Sequence, residues 1–130
     1  MPKILLVDDS SAFRAQMVRL FSKFAVELVE AEDGVQGLQR LSENPDVKLV
    51  LSDFNMPNMN GLEMIGEIRK STQNAGLGIV VLTSVGKDSK DLVNKAKELG
   101  VIAWIVKNPT DKHIEQLLVK CFGEGVKIAS

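Results

Sequence analysis

Four stretches of the chain are apolar without interruption and rich in β-branched residues: residues 4–7, 49–51, 79–82 and 101–106. Unbroken apolar runs of this length are typical of strands that helices cover on both faces of a parallel sheet. A fifth run, residues 26–30, contains both apolar and charged residues. This mixed pattern predicts a strand at the edge of the sheet.

Between these runs, apolar residues recur at the spacing of amphipathic helices. The first helix is expected to begin near Ser10 or Ser11, and the last near Asp111. Five apolar stripes define the predicted helices: Phe13, Met17, Leu20, Phe21 and Phe24; Val35, Leu38 and Leu41; Leu62, Ile65 and Ile68; Leu92, Ala96 and Leu99; and Ile114, Leu117, Leu118, Cys121 and Phe122.

Three helix ends carry their own signals. Asn60 and Glu63, which stand three residues apart before the third stripe, have the spacing of a capping box. Gly100 and Gly123 follow the fourth and fifth stripes, in the position where a left-handed residue commonly ends a helix. These signals predict where the helices begin or stop.

The strands and helices alternate along the whole chain, as five β–α units. Such alternation predicts an α/β fold with a parallel sheet and right-handed crossovers. A length of 130 residues leaves room for one domain. We expect that domain to span residues 1–123, with a short tail at residues 124–130.

Composition and charge narrow the classes of partner. The net charge is −1 and the basic residues are scattered among acidic ones, so the sequence shows no cluster of positive charge of the kind that favours nucleic acid; only the fold can assemble a basic face from distant residues. No apolar run approaches the roughly 20 residues that a membrane span needs. The apolar start is too short for a signal peptide. With one cysteine, Cys121, no internal disulfide can form, and we expect a cytoplasmic protein.

Polar residues follow the predicted strands at the point where each strand ends. Asp8 and Asp9 follow the first strand, Asp53 the third, Thr83 the fourth and Lys107 the fifth. The C-terminal ends of parallel strands share one edge of the sheet, where open α/β sheets bind their ligands. We therefore expect these five side chains to meet in one crevice.

Such a set favours phosphoryl chemistry with a divalent cation. Three neighbouring carboxylates repel each other, which raises a pKa or requires a cation. Mg²⁺ prefers oxygen ligands and commonly binds one or two carboxylates together with a phosphate oxygen. Lys107 suits a phosphoryl oxygen as a point charge, and Thr83 offers a hydroxyl donor. Positioning and charge stabilisation are most of what phosphoryl transfer needs.

These motifs resemble those of the response-regulator receiver domain over nearly the whole chain, and are most similar to the stand-alone chemotaxis type. The matching segments are LLVDD at residues 5–9, AEDG at 31–34, LSDFNMPNMNGLE at 51–63, VLTS at 81–84 and WIVK at 104–107. The resemblance implies a flavodoxin-like, doubly wound fold, with a five-stranded parallel sheet in the order 2-1-3-4-5.

The resemblance also implies an acceptor and a metal site. Asp53 would be the phosphoacceptor. Asp8, Asp9 and Asp53 would hold Mg²⁺ together with the backbone carbonyl of Asn55, and Mn²⁺ would be able to substitute.

Three further residues receive roles from the same resemblance. Thr83 and Lys107 would contact the phosphoryl group. Thr83 would also move toward that group during activation, and the aromatic residue three positions before the lysine would then repack. Here this residue is Trp104, where tyrosine or phenylalanine is more usual; the alternative is that Trp104 only packs its strand.

The implied function is that of a phosphorylation-activated response regulator in a two-component system, with chemotaxis as the system that the resemblance suggests. A histidine kinase would donate the phosphoryl group, and the protein would catalyse only its own phosphorylation and dephosphorylation. The signal would leave through a partner protein that binds the face of the fourth helix, fifth strand and fifth helix, between about residues 87 and 120. A flagellar motor switch is the target that the family suggests.

Three other classes compete with this interpretation. A flavodoxin-like cofactor binder cradles phosphate after its first strand, where Asp8 and Asp9 would repel it. An aspartate-nucleophile phosphatase carries D-x-D at that point, which Asp8-Asp9-Ser10 does not match. A receiver that acts as a constitutive adaptor would not need the complete acceptor set.

One segment departs from the family pattern. The family usually has a proline directly after the lysine, joined by a cis bond, whereas this chain reads Lys107-Asn108-Pro109. A cis bond is far costlier before Asn108 than before Pro109. We therefore expect a shifted loop in which the Lys107–Asn108 bond is trans or strained.

Overall fold

The computed structural model describes residues 1–54, 56–71, 74, 76–84 and 90–127. Five strands and five α-helices alternate along these residues. None of the helices in the described ranges is both long and apolar enough to cross a membrane. The elements are β1 (Lys3–Val7), α1 (Ser11–Phe21), β2 (Glu27–Ala31), α2 (Gly34–Glu43), β3 (Val47–Ser52), α3 (Gly61–Lys70), β4 (Gly78–Thr83), α4 (Lys90–Glu98), β5 (Ala103–Val106) and α5 (Asp111–Phe122).

The five strands form one parallel sheet in the order β2-β1-β3-β4-β5. This confirms the expected order, including the position of β2 at an edge. Val7 of β1 lies opposite Ser52 of β3, and Thr83 of β4 lies opposite Val106 of β5. The C-terminal ends of these four strands are therefore aligned at one edge of the sheet.

Helices cover both faces of the sheet, which explains the unbroken apolar strands. Ile4 and Leu6 belong to a core that includes buried residues of α1 and α5. Leu5 and Val7 point to the opposite face, into a core that includes residues of α2, α3 and α4. Successive residues of a strand face opposite sides, so each of the residues 4–7 of β1 packs in one of the two apolar cores.

The predicted helix ends agree with the structure. Asn60 accepts from the Glu63 N–H at 2.9 Å, and the Glu63 carboxylate accepts from the Asn60 N–H at 3.3 Å, which completes the capping box. Gly100 follows α4 with a φ of 77°, as expected of a residue that ends a helix in the left-handed region. The Ser10 hydroxyl caps α1.

The fifth strand is shorter than predicted. It begins at Ala103, so Val101 and Ile102 of the apolar run lie before it. The Val101 N–H donates to the Ala96 carbonyl at 3.0 Å, which is a bond of the cap that closes α4. The chain therefore leaves the helix cap before it enters the sheet, and Ile102 remains 49% exposed.

The predicted stripe of α2 is wrong at Val35, which is 53% exposed. The buried face of this helix contains Gly34 and Gly37 instead. A Cβ at Gly34 would lie 2.7 Å from the Met59 carbonyl oxygen. Two glycines thus let α2 approach its neighbours closely, and a pattern of large apolar residues does not reveal this.

Phe24, assigned to the stripe of α1, lies beyond the end of that helix and is nevertheless buried.

Residues of the expected C-terminal tail pack against the domain. Glu124–Val126 form a short 3-10 helix, and Val126 is buried. The Ala25 N–H donates to the Val126 carbonyl at 2.7 Å. This part of the tail therefore covers the loop between α1 and β2.

Candidate functional site

Two adjacent strands place the buried acids of the site. Asp8 follows directly after β1, and Asp53 follows directly after β3. The last residues of these two strands lie opposite each other. The Asp53 N–H donates to the Val7 carbonyl at 2.8 Å, which continues the pairing of the two strands. Ligand oxygens of Asp8, Asp9 and Asp53 all lie within 4.8 Å of one another. Asp8 and Asp53 are buried, whereas Asp9 is exposed.

Lys107, which follows the edge strand β5, brings a positive charge to these acids. Its backbone N–H donates to the Thr83 carbonyl at 2.9 Å, which fixes the end of β5 beside β4. Its ammonium donates to Asp53 Oδ2 at 3.1 Å and lies 2.6 Å from Asp8 Oδ2. The side chain of Lys107 is 15% exposed, so this ion pair is partly shielded from water.

Burial and mutual contact shift the pKa values of Asp8 and Lys107. Loss of hydration raises the pKa of Asp8 above its ordinary value, although Lys107 and the Ser10 N–H stabilise the charged form. Burial alone would lower the pKa of Lys107, but the negative charges of Asp8 and Asp53 beside it outweigh this effect, and its pKa is raised above the ordinary value. Lys107 therefore stays charged and compensates the two acids only in part.

The acidic cluster has the properties of a divalent cation site. Asp8 Oδ2 is buried and accepts no hydrogen bond of acceptable geometry from any described residue, even though the Lys107 ammonium lies close by. Buried carboxylate oxygens normally have partners. Clustered carboxylates are the ligands that hard cations prefer. The three acids therefore fit a divalent cation.

Hydrogen bonds and a close packing contact hold Asp53. The Phe54 N–H donates to Asp53 Oδ1 at 2.6 Å, which fixes the carboxylate relative to its own backbone. The Ser52 hydroxyl donates to the Asp53 carbonyl oxygen at 2.8 Å. Gly61, at the start of α3, packs directly against that same carbonyl oxygen, with no room for a Cβ. The carboxylate thus stands on a tightly packed turn between β3 and α3.

The other sequence-predicted residues lie as follows. Thr83 is buried at the end of β4, beside the backbone of Lys107. Trp104 lies in β5, with its ring 6.0 Å from the Phe54 ring. Asn55 lies outside the described residues. The functional roles given to these residues remain predictions.

The Lys107–Asn108 bond is cis. The trans alternative for this bond is therefore wrong. The side chain of Lys107 still reaches Asp53, and its backbone keeps the bond to Thr83.

Two further residues, Arg14 and Phe13, contact the site, and the hydrophobic pattern of the sequence does not reveal these contacts. Arg14 of α1 donates to the Asp8 carbonyl and pairs with Glu30 at 3.2 Å, so it supports the loop that carries the acids. The Phe13 ring lies beneath the Lys107 ammonium, 4.2 Å from Nζ to the ring centroid. The pattern showed Phe13 only as a core residue, because the partner of its ring is distant in sequence.

Comparison with known proteins gives the family. Residues 4–119 match the profile of the response regulator receiver domain. The chain belongs to this family. The receiver domain is 34% identical to the chemotaxis protein CheY1 of Helicobacter pylori over 122 residues, which are 93% of this chain and 97% of that relative.

Comparison with solved structures leads to the same family. The chemotaxis protein CheY4 of Vibrio cholerae has a TM-score of 0.84 and 27% identity, over 94% of this chain and 99% of that one. The Mn²⁺-bound form of the response regulator Rcp1 has a TM-score of 0.80 and 25% identity over 100% of both chains. The protein is thus a CheY-like receiver domain, which is a module of two-component signalling.

Proposed function

We propose that this receiver domain accepts a phosphoryl group on the Asp53 carboxylate from a histidine kinase, and thereby changes its affinity for a partner protein. The observation that carries the proposal is the position of the Lys107 ammonium, 3.1 Å from Asp53 Oδ2 and beside the acidic cluster. An accepting carboxylate, a nearby cation and clustered metal ligands are together what phosphoryl transfer to an aspartate requires.

In the proposed step, an oxygen of Asp53 forms a bond to phosphorus. The bond between phosphorus and the imidazole nitrogen of the kinase histidine breaks, and the leaving imidazole takes up a proton. Lys107 then pairs with an oxygen of the transferred group, and Thr83 donates its hydroxyl to another. The reaction charges the protein itself, and no free substrate is turned over.

Asp8, Asp9 and Asp53 would hold Mg²⁺ for this step, with Mn²⁺ as a substitute and the Asn55 carbonyl as a further ligand. When bound, the metal offsets the negative charge of the acids and of the phosphoryl oxygens. The buried Asp8 oxygen, which accepts no well-aligned hydrogen bond from the described residues, and the Mn²⁺-bound form of Rcp1 support this assignment.

The output surface proposed here is the face formed by α4, β5 and α5. β5 is an edge strand, and Val106 is 46% exposed on it while Ile102 is 49% exposed just before it. Exposed apolar residues on an open edge suit contact with another protein. The CheY relatives make a flagellar motor switch protein the first target to test.

The decisive experiment is intact-mass spectrometry after incubation with Mg²⁺ and a small acyl phosphate. We expect the wild type to gain the mass of one phosphoryl group and Asp53→Ala to gain none. Asp46→Ala is the matched control, because Asp46 is an exposed acid that pairs with Lys3 away from the acidic cluster. An equal gain in Asp53→Ala would show that Asp53 is not the acceptor.

A second measurement tests the output. Binding of a flagellar motor switch protein is compared between the wild type with and without Mg²⁺ and acyl phosphate. If phosphorylation favours the conformation that binds the partner, the dissociation constant of the partner must differ between the two conditions. Equal affinity under both conditions would exclude this target as a phosphorylation-dependent one.

A further inference from the structure

The Lys107 ammonium is held on three sides. Asp53 Oδ2 accepts from it at 3.1 Å, and Asp8 Oδ2 lies 2.6 Å away. On the third side, the face of the Phe13 ring lies 4.2 Å from Nζ to the centroid. Phe13 is 7% exposed and the lysine side chain 15% exposed, so the contact is largely removed from water.

The loop that carries Asp8 and Asp9 also places this ring. The Ser10 N–H donates to Asp8 Oδ1 at 2.8 Å, and the Ser10 hydroxyl accepts from the Phe13 N–H at 3.2 Å. Phe13 is therefore fixed in the first turn of α1 by the residue that caps the helix. The same two bonds tie its position to the position of Asp8.

A lysine side chain is long and rotates freely, so its ammonium needs more than one contact to stay in place. The face of an aromatic ring attracts a cation, and the attraction grows when water is excluded. Unlike a carboxylate, a phenyl ring neither accepts a proton nor binds a hard cation. The Phe13 ring can therefore hold Lys107 without competing for a metal ion.

We propose that Phe13 is a positioning residue for Lys107, because its ring face keeps the ammonium beside Asp53. This inference rests on the proposed function where it concerns phosphorylation. A divalent cation on the three acids would weaken their attraction for the ammonium, whereas the attraction of the ring would remain. The ring thus keeps Lys107 where an oxygen of the incoming phosphoryl group has to be neutralised.

The test uses the intact protein with fluorinated phenylalanines placed at position 13 alone. Added fluorine withdraws charge from the ring face and changes the size of the ring little. We expect the rate of phosphorylation by a small acyl phosphate to fall with each fluorine, by about two- to fivefold for the trifluorinated ring. A purely structural role would give no such trend. The same series at Phe21, a buried residue of the same helix, is the matched control and should be flat.

A second readout does not depend on phosphorylation. In the metal-free protein, the ring current of Phe13 should shift the ε-methylene protons of Lys107 upfield, and Phe13→Leu should remove that shift. Loss of the shift together with a graded fluorine series supports the proposal. A shift that survives Phe13→Leu, or a flat series at position 13, overturns it. If the wild type accepts no phosphoryl group, the proposed function fails, and the upfield shift of the Lys107 protons, with its loss in Phe13→Leu, alone decides the inference.

Discussion

The ring of Trp104 lies 6.0 Å from the ring of Phe54, with the two planes tilted by 40°. Phe54 directly follows Asp53, and its N–H donates to the Asp53 carboxylate at 2.6 Å. A single residue therefore links the proposed acceptor to the aromatic side chain of β5. A change in the charge of Asp53 alters its hydrogen bond with the Phe54 N–H. The ring of the same Phe54 contacts Trp104.

We expect the fluorescence of Trp104, the one tryptophan of the chain, to change when Mg²⁺ and a small acyl phosphate are added. If the indole repacks into a more buried position, its emission moves to shorter wavelengths. The Asp53→Ala variant with the same additions is the control and should show no response to the acyl phosphate. An unchanged spectrum in the phosphorylated wild type would remove the support for repacking of Trp104.

Removing one carboxylate charge should weaken metal binding. Asp9 is the exposed acid of the cluster, so Asp9→Asn alters the charge without disturbing the core. We expect the Mg²⁺ dissociation constant to rise by about tenfold or more, which corresponds to about 1.4 kcal/mol. Calorimetric titration of chelator-treated protein measures it, with Asp46→Asn as the control. The metal assignment is in error if both variants bind Mg²⁺ as the wild type does.

Two glycines of α3 should respond oppositely to the same substitution. A Cβ at Gly61 would collide with the Asp53 carbonyl oxygen, which is backbone and cannot move away cheaply. We expect Gly61→Ala to lower the free energy of unfolding by about 1–3 kcal/mol. At Gly66, a Cβ meets no described atom within 4 Å, and Ala should raise stability by about 0.5–1 kcal/mol.

Urea titrations of the two variants measure this difference. Phosphorylation of Gly61→Ala should also be slower than that of Gly66→Ala, since only Gly61 touches the turn that holds Asp53. Equal stability of the two variants would contradict the close packing beneath Asp53.

The cap of α2 gives a prediction of pH dependence. The Gln36 N–H donates to Asp33 at 2.8 Å, and Asn58 donates to it at 2.8 Å. These bonds lower the pKa of Asp33 below its ordinary value of 3.8. Ionised Asp33 therefore stabilises the fold above that value, and the contribution is lost as the pH falls through the lower, folded-state pKa.

We expect Asp33→Ala to lower the free energy of unfolding by about 1 kcal/mol near neutral pH. The difference from the wild type should shrink in acid. Asp33→Asn keeps a capping oxygen and is the control, with a loss of a few tenths of a kcal/mol. The measurement is a set of urea titrations across the pH range, and a difference that stays constant into acid would contradict the role of the ionised carboxylate.

The order of the elements could be predicted from sequence because it depends on local patterns. Unbroken apolar runs indicated a sheet covered on both faces, and short signals such as Asn60 with Glu63, or Gly100, act within a few residues of the helix end that they fix. The gathering of Asp8, Asp9 and Asp53 was also predictable. In a parallel sheet, residues that follow the strands meet at one edge.

Contacts between distant parts of the chain were decided only by the tertiary structure. The exposure of Val35 depends on the closer approach that Gly34 and Gly37 allow to α2. The contact of Phe13 with Lys107 joins the first helix to the end of the last strand. A pattern of hydrophobic and polar residues states which positions are buried, but the side chains that meet there are selected by the packing of helices on the sheet.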